Sequence, residues 1–175
     1  GAVEISEQEE ISRVVPVIKA VKSMGAIVSV DTSRANVMRA AIEAGAEMIN
    51  DVYALQRPDA LNVVLEYKVP VCLMHMKGTP STMQQSPIYR NVIYDVVDFL
   101  CSRIDYCVEA GVPRANIIID PGIGFGKTAD HNKVIINNLN TLKNLELPVM
   151  IGLSRKKFIR DILEESVMSE LDEAS

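Results

Sequence analysis

The stretch Asn116-Ile117-Ile118-Ile119-Asp120-Pro121-Gly122-Ile123-Gly124-Phe125-Gly126-Lys127 moves from an apolar run, through a carboxylate, into a loop with glycine at alternate positions. A short isoleucine run with no polar alternation suits a strand buried on both faces, as parallel sheets require. Asp120 then stands at the strand's C-terminal end, where parallel β-α folds gather the side chains that line a site. Gly122, Gly124 and Gly126 free the backbone to approach a ligand closely and to take positive φ.

The same pattern repeats outward. Ala26 to Val30, Ala46 to Ile49, Pro70 to Met74 and Pro148 to Leu153 are further short apolar runs, so five strands with both faces buried are expected. Between them the apolar spacing is helical. Val37, Met38, Ala41 and Ile42 form one stripe, ended by Gly45. Leu61, Val64 and Leu65 form a second, with Pro58 in its first turn. Asn91 to Ala110 predicts a longer helix stopped by Gly111 and Pro113, and a helix faced by Val14, Val17, Ile18 and Val21 ends at Gly25. Such repeats give either a doubly wound open sheet or a (β/α)8 barrel. Five strands are too few to close an eight-stranded barrel, so the polar groups have to decide. No linker divides the chain, and Glu164 to Ser175 carries no convincing apolar face.

Each predicted strand ends in polar residues. Val30 leads to Asp31, Ile49 to Asn50 and Asp51, Met74 to His75, Ile119 to Asp120, and Leu153 to Ser154, Arg155, Lys156 and Lys157. Singly, each has an ordinary structural explanation. Asp31 and Asn50-Asp51 suit caps or turns, His75 suits a hydrogen-bonded core histidine, and the basic run suits a solvated turn. The other histidine, His131, falls in a helix start, so a metal cluster is not expected. Jointly, the rim offers carboxylates and an amide to a polar heterocycle. The run from Ser154 to Lys157, predicted to open a helix, offers cations and a helix dipole to a phosphate or carboxylate.

Composition narrows the classes. The 175 residues are 48% hydrophobic and 23% charged, which sustains one globular core. A net charge of −5 lacks the basic excess of a nucleic-acid protein. No run approaches the roughly 18 apolar residues of a membrane span and no signal peptide opens the chain, so a soluble cytoplasmic protein is expected. Cys72, Cys101 and Cys107 form no CxxC pair and read as small buried thiols in a reducing compartment. Gly126-Lys127-Thr128 matches the end of a Walker loop, but Pro121 stands where its first glycine is needed. Gly124-x-Gly126-x-x-Ala129 meets only the loosest dinucleotide fingerprint, because Asp120 and Pro121 intervene between strand and glycines.

At these residues the sequence resembles the dihydropteroate synthase family. The matching stretches are Val28 to Ser33, Ile49-Asn50-Asp51, Val71 to Pro80 with Thr82-Met83-Gln84 following, Asp120 to Lys127, and Ile151 to Lys156. They occur in the family's order and spacing from Gly1 to about Phe158. The resemblance implies a TIM barrel, here incomplete, with about five of its eight strands and without the family's first and last. It implies a transferase of folate biosynthesis, a sulfonamide target. Such an enzyme joins 6-hydroxymethyl-7,8-dihydropterin pyrophosphate to p-aminobenzoate and gives 7,8-dihydropteroate and pyrophosphate. Carried over by motif, Asp31, Asn50, Asp120 and Lys156 hold the pterin and Met74 packs on its ring. Phe125, Ser154 and Arg155 lie on the p-aminobenzoate side, and Asp31, Asp120 and Lys156 take the catalytic roles.

Parts of the family pattern are missing. An asparagine that binds Mg²⁺ with the pyrophosphate and a closing Ser-Thr-Arg-Pro loop fall before this sequence. An Arg and a His directed to the pyrophosphate fall after it. The pterin pocket is therefore represented and the Mg²⁺ site is not, as expected for a portion of a longer protein. Such a portion alone is expected to bind pterin poorly and not turn over. The family also implies a homodimer at full length. Two other readings stay open: a methyltetrahydrofolate-dependent corrinoid methyltransferase, which would not carry Ser-Arg-Lys on its seventh strand, and a non-catalytic pterin- or nucleotide-binding module.

Overall fold

In a computed structural model the structure describes residues 5–78, 87–156 and 158–160. Strands and helices alternate along it. Helix α1 (Glu7–Ser23) leads into β1 (Ser29–Asp31), α2 (Ala35–Glu43), β2 (Met48–Asp51), α3 (Ala60–Tyr67), β3 (Val71–Met74), α4 (Val92–Glu109), β4 (Ile117–Asp120), α5 (Ala129–Asn137) and α6 (Leu139–Lys143). The four strands pair in sequence order, all parallel. Each helix crosses back so that the next strand runs the same way, as β-α units require.

The core lies between sheet and helices. Ile49, Leu73, Ile117 and Ile119 from the strands meet Met38, Leu100, Ile104, Ile135 and Leu142 from the helices, all almost completely buried. Removing one such side chain from water contributes about 2–3 kcal/mol. Helix α4 starts where Asn91 caps it, its Oδ1 accepting from the N–H groups of Ile93 and Tyr94. It ends at Glu109, with Ala110 as its cap and Gly111 next, one residue short of the predicted end.

Four expectations change. The fifth run, Pro148 to Leu153, is not a strand but one parallel bridge, Ile119 to Val149, held by Ile119 N–H to Pro148 O and Met150 N–H to Ile119 O. β1 is not buried on both faces. Ser29 and Asp31 are exposed and Val30 is buried, because no described strand faces its inner side. In α1 only Ile18 is buried and Val17 is 60% exposed, since α2 is packed against one side of the helix only. Pro58 stands before α3 rather than in its first turn, and the buried face is Ala60, Val63 and Val64, with Leu61 and Leu65 half-buried. Cys72 and Cys107 are buried as expected, Cys101 only partly, and all three are free thiols. Gly1, Thr82 to Gln84, Lys157 and the acidic end from Glu164 lie outside the described residues.

Candidate functional site

Strand register decides which polar groups share a face. Asp31 pairs with Asn50, Asn50 with Cys72, Cys72 with Ile118, and Met74 with Asp120. In-register residues of a parallel sheet point the same way, and residues two apart along a strand do too. Asp31, Asn50, Cys72, Met74 and Asp120 therefore line one face, the one turned away from the helices. Asp51 points to the other.

This separates two neighbours that look alike in the sequence. Asp51 is fully buried and accepts from the backbone N–H groups of Tyr53 (2.9 Å) and Leu55 (2.8 Å). It braces a turn in which Ala54 and Leu55 take left-handed φ of 50° and 58°. Burial pushes its carboxyl up, opposed by the Ser33 hydroxyl and these N–H groups. Its work is structural. The Oδ1 of Asn50, by contrast, is buried with no hydrogen-bond partner. An orphaned buried acceptor costs about 1–3 kcal/mol, an arrangement that suits a site built for a donor from a ligand.

The charged groups converge. Asp120 is buried, and its Oδ1 accepts from Gly122 N–H at 2.7 Å, leaving Oδ2 for another donor. Burial raises its carboxyl above the ordinary range, opposed by that N–H, Lys127 and Lys156 and reinforced by Asp31. Asp31 is raised by desolvation, then by Asp51 and Glu10, and lowered by Lys156. Lys156 is lowered by desolvation and supported by Asp120 and Asp31. Strand register puts Asp31 and Asp120 on one face, and Lys156 lies over the glycine loop, its Cδ 3.1 Å from a Cβ built on Gly124, where it feels both carboxylates. Lys156 Nζ lies 4.1 Å from the centroid of the Phe125 ring, so Phe125 borders the same space. Ser154 and Arg155 are exposed on a turn in which Arg155 takes φ of 57°. That turn corrects the expected helix start: among the described residues the helix begins at Phe158, so no helix N-terminus stands at Ser154.

Three buried residues support the site, of which the sequence pointed to His75 as a core histidine and to Lys127 as the end of the glycine motif. His75 is a core residue, buried beside Phe99 and Tyr89 and bonded to Lys127. Lys127, only 3% exposed, donates to Gly122 O (2.9 Å) and Phe125 O (3.0 Å). Asn132, at 1% exposure, accepts Gly124 N–H at 2.9 Å. Lys127 closes the glycine motif and was legible as part of it. Asn132 sits inside a helix and carries no sequence signal. His131 caps α5 with Thr128, as expected of a helix start.

Known proteins match this chain across most of its length. The family model for pterin binding enzymes matches residues 1–175. A dihydropteroate synthase of Haemophilus influenzae is 47% identical over 168 residues, 95% of this chain and 61% of the relative. One from Escherichia coli is 40% identical over 164 residues, 93% of this chain and 58% of the relative. The Yersinia pestis dihydropteroate synthase solved as a sulfonamide drug complex is 43% identical with a TM-score of 0.89, covering 92% of this chain and 59% of that one. The Xanthomonas albilineans enzyme in complex with 7,8-dihydropteroate is 42% identical with a TM-score of 0.85, covering 91% and 58%. The chain thus spans about three fifths of the length of the curated relatives it matches. Its parallel β-α units are part of a (β/α)8 barrel, as the resemblance implies.

Proposed function

The chain belongs to the pterin binding enzymes, and from that premise we propose that the full-length protein is a dihydropteroate synthase. It would join 6-hydroxymethyl-7,8-dihydropterin pyrophosphate to p-aminobenzoate, giving 7,8-dihydropteroate and pyrophosphate. The observation that carries the reading is one sheet face bearing Asp31, the unpartnered Asn50 Oδ1 and Asp120, with Lys156 beside them. The relatives' complexes with 4-aminobenzoic acid and with 7,8-dihydropteroate support the substrates.

The chemistry of the ring fits these groups. The amino-pyrimidine edge of a pterin presents adjacent N–H donors, which the free oxygen of Asp120 and Oδ1 of Asn50 can accept. Lys156 donates toward the oxo group, and Met74 lies beside Asp120 to pack on the ring. The aniline nitrogen attacks the methylene carbon, the C–O bond to pyrophosphate breaks, and the nitrogen loses a proton. Early C–O cleavage leaves positive charge on the pterin, which Asp31 and Asp120 stabilise electrostatically. Phe125 borders the p-aminobenzoate side with the exposed Ser154 and Arg155. Among the described residues no group of three His, Cys, Asp or Glu side chains is arranged for a metal ion.

Lys156 between Asp120 and Asp31 favours the synthase over the corrinoid methyltransferase. A homodimer in the cytoplasm, with no nucleic-acid partner, belongs to the same proposal. The net charge of −5 supports its last part, and no described helix is long and apolar enough to cross a membrane. The test is turnover by the full-length protein, following dihydropteroate and pyrophosphate together, with NAD as a control ligand. Product from both substrates is expected. A protein that gains no thermal stability from a pterin, and makes no product, is not this enzyme.

A further inference from the structure

We propose that Lys127 is a positioning residue, one buried amine that ties the glycine loop to the end of β3 and so fixes Asp120 and Phe125 in a common frame. This rests on the synthase reading for the roles of those two residues. The tie itself stands on geometry.

Three polar atoms close around the amine, two carbonyls that accept from it and one imidazole nitrogen in hydrogen-bond contact with it. They are Gly122 O at 2.9 Å, Phe125 O at 3.0 Å and His75 Nδ1 at 2.9 Å, with His75 O more distant at 3.4 Å. Two belong to the loop after β4 and one to the residue following β3. Gly122 is also the N–H donor to Asp120 Oδ1, so the carbonyl held by Lys127 and the amide that orients the carboxylate belong to one residue. Phe125, the other residue held, carries the ring under Lys156.

The backbones leave no room for an alternative packing. A Cβ on Gly122 would meet His75 O at 1.8 Å, and one on Gly126 would meet Lys77 O at 2.3 Å. The Tyr89 hydroxyl donates to Gly126 O at 2.7 Å, and His75 N–H donates to Asp120 O at 2.9 Å. Two rim segments are thereby pressed together, and the Lys127 amine lies between them, its pKa lowered by burial to about 7 and supported by Asp120. A buried polar group costs free energy unless its hydrogens are bonded, so the partners of this amine are held in place with it.

The test uses the full-length protein. Lys127→Met keeps the side chain's bulk and removes its donors. Pterin Kd and the KM for p-aminobenzoate are both expected to rise, about tenfold or more, because both ligand-facing residues shift. His75→Leu removes an acceptor and is expected to act in the same direction, while His75→Asn, whose oxygen stands near the Nδ1 position, restores both constants. The ¹⁵N spectrum of His75 should show an unprotonated Nδ1 in the wild type and lose that signature in Lys127→Met. Should Lys127→Met lower only the melting temperature, with both constants held within about twofold, the positioning role is wrong. Equal behaviour of His75→Leu and His75→Asn overturns it too, and serves if Lys127→Met does not fold. A wild type that keeps the ¹⁵N signature but binds no pterin tells against the synthase reading and leaves the tie standing.

Discussion

The ammonium of Lys156 sits 4.1 Å from the centre of the Phe125 ring, with Asp31 and Asp120 supplying the negative charge that supports it. A cation over an aromatic face contributes about 1 kcal/mol at a partly solvated position. Phe125→Leu should release the Lys156 head and weaken pterin binding roughly fivefold. Titration calorimetry reads this directly, and unchanged affinity would show that the ring does not place the lysine. Lys156→Ala should lose more, since it removes the donor itself.

Asn50 and Asp51 make a paired test of facing. Asn50→Ala should leave the melting temperature near wild type, or raise it, because it deletes an orphaned acceptor, while abolishing most pterin affinity. Asp51→Ala strips the braces from a buried turn and should cost about 2–3 kcal/mol in urea unfolding. Reversed outcomes for the two variants would mean that the register argument has the faces wrong.

Asp120 sets the acid side of binding. Its carboxyl is raised by burial, with Asp31 adding to the rise and Gly122 N–H, Lys127 and Lys156 opposing it. On the proposed reading, only the carboxylate would accept a pterin's N–H groups. Affinity should therefore fall as pH drops through a value above the ordinary aspartate range, and the fall should vanish in Asp120→Asn, which binds weakly throughout. Fluorescence titration of a pterin between pH 4 and pH 8 (a range spanning about the aspartate and histidine midpoints) checks it.

His75 governs a separate acid response, in stability. Burial first, and then Lys127, lower its pKa from 6.5 to about 3. Between those values the unfolded chain binds a proton that the folded chain does not, so stability falls as pH drops from about 6.5 toward 3. His75→Asn has no such proton to gain. The difference between wild type and variant in urea midpoint should widen in favour of the variant as pH falls. A constant difference would contradict the assignment of a neutral imidazole.

Gly122→Ala places a methyl group 1.8 Å from a backbone oxygen at a φ of 68°, so the loop must move. Both ligands should bind at least about tenfold more weakly. Gly152→Ala, where nothing lies within 4 Å of an added Cβ, is the control and should behave as wild type.

Much of this was legible before any coordinates. The apolar runs gave β1 to β4, and the residues at their ends gave Asp31, Asn50 and Asp120, because a parallel strand announces its buried length and its polar terminus in one dimension. What escaped were relations across the sheet. Nothing in the string Asn50-Asp51 says that one side chain faces away from the helices and the other braces a turn, since only register assigns the faces. Asn132 is ordinary in sequence and becomes structural only because the glycine loop folds onto it. The Pro148 to Leu153 run has strand composition, yet pairs at one residue, since composition reports burial and not pairing.

The alternation of faces along β2 has a consequence for how this protein can vary. A substitution at Asn50 or Asp51 alters one job. A single-residue insertion or deletion ahead of them would exchange their places, sending the Asn50 amide into the helix layer and the Asp51 carboxylate onto the opposite face of the sheet. Descendants of this sequence can thus drift in spelling along the strand but not in spacing, and length changes should gather in the loops.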